Sequence, residues 1–154
     1  TSTDARVNGY TDALNEAGIL IESVQYADGL ADKAASIMEN LFISLNSDID
    51  IVMCNNDEIA SGVSKVVVEL GKKDVIIVGF DGIQAGVQNV IDGKVTCTVA
   101  QLPFEMGYSA VKNAVATAKG ETVEKEIETD VTLVTQENAE SYMEILKTNL
   151  EKYK

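Results

Sequence analysis

The chain has 154 residues, 45% of them apolar and 24% charged, which fits one globular domain with its own core and is short for two ordinary ones. Its 25 acidic against 12 basic residues give a net charge of −13, a field that repels phosphate backbones and anionic lipid surfaces and so disfavours a nucleic-acid partner. There is no histidine, hence no Ser-His or Cys-His arrangement and no imidazole metal ligand, and no apolar run approaches the roughly 18 residues that span a bilayer.

Residues 4–17 carry a helical apolar face, and Gly18 is positioned to stop it. Ile19 to Tyr26 reads as a short strand. Leu30, Ala34, Ile37, Met38, Leu41 and Leu45 then recur at helical spacing. Ile49 to Cys54 is an apolar strand, and a helix follows from about Asp57 to Leu70, closed by Gly71. Val75 to Phe80 is a continuous apolar run, as expected of a parallel strand buried on both faces. A helix over about Ile83 to Ile91 ends at Asp92-Gly93, and Val95 to Ala100 is another strand. Pro103, the one proline, introduces a helix to about Lys119 with Gly120 at its end. Residues 127–134 alternate in strand fashion, and a last helix runs from about Gln136 to Tyr153. Cys54 and Cys97 each sit in a strand-like apolar run and read as buried free thiols.

Strands alternating with helices of about 10–15 residues predict an α/β fold, a three-layer parallel sheet flanked by helices. In such sheets ligands bind beyond the carboxyl ends of the strands, which singles out the polar junctions there. At Asn55-Asn56-Asp57-Glu58, Asn56 or Asp57 caps the following helix, and a second amide can exchange hydrogen bonds with hydroxyl groups. Asp81, after a buried strand and beside Gly82, is either a helix cap or an acceptor for a ligand. Gln101 either reads hydroxyls or bonds to backbone at a chain crossing. Arg6 lies where the helix dipole prefers an anion, so it needs a partner: a ligand oxygen, or a surface salt bridge to Asp4 or Asp12. No Gly-rich phosphate loop, nucleophile elbow or metal-spaced cluster is present, so no catalytic residue, metal site or cofactor is expected.

Four segments taken together carry a resemblance: Arg6-Val7-Asn8-Gly9-Tyr10, Asn55 to Gly62, Val78-Gly79-Phe80-Asp81-Gly82, and Thr98 to Pro103. In order and spacing they are similar to the periplasmic ribose-binding protein group, a type I solute-binding family, along essentially the whole chain. The resemblance implies that Arg6 and Asp81 engage ring or anomeric oxygens of a monosaccharide while Asn56 and Gln101 read its hydroxyls. The aromatic that stacks on the sugar in this family falls at Gly29 or Leu30, neither aromatic, with Tyr26 close by.

Members of the group have two lobes joined by hinges. The chain resembles the second, lacking the other lobe and the interior strand that precedes Arg6. The implied division is residues 1–102 as the C-terminal sugar-binding lobe, 103–126 as a crossing segment packed on the N-terminal lobe, and 127–154 as a return strand and C-terminal helix. The implied function is the binding component of an ABC-type sugar importer, periplasmic or anchored outside the cell. Its implied partners are a monosaccharide, a membrane permease, and the missing lobe or a swapped second copy. The competing reading is the effector-binding core of a lac-repressor-family regulator, or a ligand-sensor domain. The net charge of −13 speaks against the regulator.

Overall fold

A computed structural model describes residues 1–46 and 48–151. The elements in chain order are α1 (Ser2–Glu16), α2 (Ala31–Ser44), β1 (Ile51–Met53), α3 (Asp57–Glu69), β2 (Ile76–Asp81), α4 (Gln84–Ile91), β3 (Cys97–Ala100), α5 (Pro103–Ala118), β4 (Thr132–Thr135) and α6 (Ala139–Glu151). Thr1 caps α1 through a reciprocal capping box with Asp4. The glycines expected to stop helices, Gly18, Gly71, Gly93 and Gly120, all take the left-handed conformation that ends a helix without a Cβ clash. The last residues of the expected final helix lie outside the described residues.

The sheet runs β1-β2-β3-β4. The first two pairings are parallel, and β3 pairs β4 antiparallel with Thr98 opposite Val134. The sheet is therefore mixed and mostly parallel, where the sequence predicted a parallel one. The chain returns to β3 through α5 and a long extended stretch rather than a single crossover helix, and so arrives from the opposite end.

Ile77, Gly79, Thr98, Ala100 and Val134 are buried on the face covered by α3 and α4, and α2 and α6 extend that helical row. The core lies here, built on Met38, Phe42, Val63, Val66, Ile77, Val87, Val90 and Val134. The prediction that Val75 to Phe80 is buried on both faces is corrected. Ile77 is 1% exposed but Ile76 is 43% exposed, so the second face of β2 stays half open at its start.

The strand expected at Ile19 to Tyr26 is also corrected. Residues 19–27 carry no regular structure, and among the described residues no backbone hydrogen bond ties 20–26 to β1. A cavity of about 770 Å³ is lined by 19–29, α1, α2 and β1. A strand-like sequence becomes a strand only with a ladder partner at about 4.8 Å, and this one has none among the described residues. The alternation at 127–134 is likewise paired only over Thr132–Thr135, where β3 offers its edge.

Candidate functional site

Asn55, Asp81 and Gln101 lie at the carboxyl ends of β1, β2 and β3, beside the start of α3. Arg6, on the second turn of α1, reaches across to them. Its Nη1 donates to the Asn55 carbonyl at 2.7 Å, its Nη2 lies 3.6 Å from Asp81 Oδ1, and its guanidinium sits 3.7 Å above the centre of the Phe80 ring. The cation is thus held by a carbonyl, a carboxylate and a π face at once. It makes neither of the surface salt bridges offered by sequence, and Asp4 is taken by the amino terminus and Thr1.

Asp81 ends β2 with φ of 111°, a left-handed value rare for a residue with a Cβ. Gln101, just beyond β3, donates from Nε2 to Asp81 Oδ1 at 2.7 Å. Asp81 does not cap α4, whose N-cap Ile83 has no side-chain bond, and the Gln101 side chain goes to a carboxylate and not to backbone. Asn56 is the N-cap of α3, with Oδ1 accepting from Ile59 N at 2.8 Å. Its Nδ2 lies by Gly29, where a Cβ would stand 3.5 Å away.

The structure therefore gathers Arg6, Asp81 and Gln101 into one bonded network, with Asn56 next in sequence to the carbonyl that Arg6 holds. Arg6 and Asp81 side chains are 20% and 30% exposed, so the network is accessible from outside yet partly shielded from water, where charged hydrogen bonds are strengthened. Tyr26, the aromatic nearest the expected stacking position, is exposed, as is Leu30.

Sequence reasoning assigned no such role to three neighbours. Phe80 underlies Arg6. Tyr10 donates its hydroxyl to the Cys54 carbonyl at 3.3 Å, and burial pushes it to about 12 against the opposing pull of Arg6. Asp57 is 1% exposed: Oδ1 accepts from Thr98 Oγ1 at 2.7 Å and Oδ2 from Ile83 N at 2.9 Å. Burial raises its carboxyl above the ordinary range and the Asp81 charge adds to this, while the bonds from Thr98, Ile83 and Gly82 work against it. The sequence marked Asp57 only as a candidate cap, and a glycine inside a strand, Gly79, marks a close approach without saying of what.

Residues 1–122 match the family described as periplasmic binding protein domain. The chain belongs to that family. It is 35% identical over 132 residues to the ribose import binding protein of Escherichia coli strain K12, covering 86% of this chain and 44% of that relative. It is 37% identical over 113 residues to the D-allose-binding periplasmic protein of the same organism, covering 72% of this chain and 36% of that one. Among solved structures, an ABC transporter solute-binding protein from Bacillus halodurans C-125 with bound myo-inositol superimposes with a TM-score of 0.81 at 33% identity, over 90% of this chain and 48% of that one. The chain thus spans less than half the length of the relatives it matches, and those relatives are solute-binding proteins, not enzymes.

Proposed function

We propose that the chain is one lobe of the binding component of an ABC-type sugar importer and that it grips a monosaccharide, ribose or a close relative, through Arg6, Asn56, Asp81 and Gln101. The observation that carries this is the bonded network of Arg6, Asp81 and Gln101 at the strand ends. An ionised carboxylate that keeps lone pairs free beside a fixed guanidinium accepts two sugar hydroxyls, while the guanidinium and the amides donate to ring and hydroxyl oxygens. Such charge-assisted bonds contribute roughly 1.5–3 kcal/mol each.

Relatives named for ribose and for D-allose support a pyranose or furanose ligand. Residues 1–102 form the binding lobe, 103–126 cross to an N-terminal lobe, and 127–154 return. The ligand stabilises a closed two-lobe state by contacts available only there. Delivery to a membrane permease, from the periplasm or from a membrane anchor outside the cell, follows from the same reading.

The test is a D-ribose titration of the chain followed by backbone amide resonances. Binding is expected to be weak, since one lobe supplies only part of the contacts, and to perturb Arg6, Asp81 and Gln101. Asp81→Ala is expected to lower affinity at least tenfold, and an unchanged affinity overturns the site.

A further inference from the structure

Asp57 opens α3 and has no ion-pair partner among the described residues. Its bonding partners are neutral, namely the Thr98 hydroxyl and the Ile83 amide. A buried carboxylate without a cation is unfavourable by itself, and neutral residues of similar volume pack at less cost. Yet the fold makes room for this one. A Cβ at Gly79 would stand 2.4 Å from Asp57 Oδ1, and one at Gly86 2.2 Å from Oδ2. Two elements, β2 and α4, therefore give up a side chain to admit it.

What it holds is the turn that follows β2. Asp81 and Gly82 are consecutive left-handed residues, with φ of 111° and 71°. The first of these is sparsely populated by residues with a Cβ and persists only where surrounding bonds over-determine it. The Asp57 bond to the Ile83 amide supplies that constraint, and Thr98, within β3, anchors the other carboxylate oxygen.

We propose that Asp57 is the positioning residue of the site: without touching ligand, it locks the 81–83 turn so that Asp81 meets Arg6 and Gln101. This rests on the sugar-binding reading of that network. Only an acceptor can bond that amide. Asparagine retains one, because its oxygen can face the turn while its amide donates to a rotated Thr98 hydroxyl. Alanine retains none.

The experiment uses the whole chain and D-ribose, with amide resonances as the readout. In Asp57→Ala the Gly82 and Ile83 amides are expected to exchange rapidly and ribose affinity to fall at least tenfold, while unfolding stays cooperative. In Asp57→Asn the amides stay protected and affinity returns to within about threefold of wild type, as a polar acceptor at this position requires. Wild-type affinity in Asp57→Ala overturns the proposal, and so does an asparagine variant as weak as alanine. Should Asp57→Ala not fold, Asp57→Asn decides alone: fast exchange at Gly82 and Ile83 with unchanged affinity also overturns it. A wild-type chain that binds no ribose sinks the sugar reading, and the amide protection then still tests whether Asp57 holds the turn.

Discussion

The helical row over the sheet and the helix α5 come from the same chain and have opposite burial. α2, α3 and α4 each bury a stripe of apolar residues, and the core residues Met38, Val66, Val87 and Val90 are at most 2% exposed. α5 carries an apolar stripe of similar strength, yet buries nothing: Tyr108 and Val111 are 65% and 66% exposed. The difference teaches that an amphipathic helix states only that it has an apolar face. Whether that face stabilises the chain depends on a surface to meet it, which α3 finds in α2 and β2 and α5 does not find among the described residues.

Met38→Ala tests the packed side most strongly. The residue is enclosed, so loss of its side chain removes transfer free energy and leaves a cavity, and urea unfolding is expected to show a loss of about 2–5 kcal/mol. A loss below about 1 kcal/mol would mean the row is as loosely made as α5.

Next in size is a pH effect inside the packed side. The folded-state carboxyl of Asp57 titrates above its unfolded value, since burial disfavours its charge. Between the ordinary range near pH 4 and that raised value the folded chain binds more protons than the unfolded one, so this group makes stability fall as pH rises. Asp57→Asn lacks that contribution. Unfolding midpoints taken from about pH 4 to about pH 8 should therefore move in the variant's favour, relative to wild type, with rising pH. A difference independent of pH contradicts the assignment.

The smallest effect is expected on α5. Val111→Ala should change stability by less than about 0.5 kcal/mol, as for exposed positions in general. A larger loss would show that a partner surface covers this helix in solution.

Much of this was legible from residue order. The helices and the strands β1, β2 and β3 follow from periodicity, and glycine stops placed most helix ends to within a residue or two. Polar junctions after apolar strands singled out Asn56, Asp81 and Gln101, and a cation near a helix start singled out Arg6; the structure joins three of the four directly. What periodicity missed were properties that need two distant segments. Ile19 to Tyr26 reads as a strand but lies beside a cavity instead of a partner strand, and β4 runs antiparallel because of how the chain returns. Asp57 looked like half of a capping pair. Its bonds to Thr98 and Ile83 span 41 and 26 residues of sequence, and no local pattern reports them.

The sequence by itself determined an α/β chain with alternating elements, no histidine chemistry, a strongly acidic surface and a set of polar junctions, because each of these is a property of composition or of neighbours along the chain. The tertiary structure decided which apolar faces are covered, and that a buried carboxylate, Asp57, bonds the Ile83 amide in the turn after Asp81. Those depend on surfaces meeting across space, where a few ångströms separate a satisfied group from an exposed one.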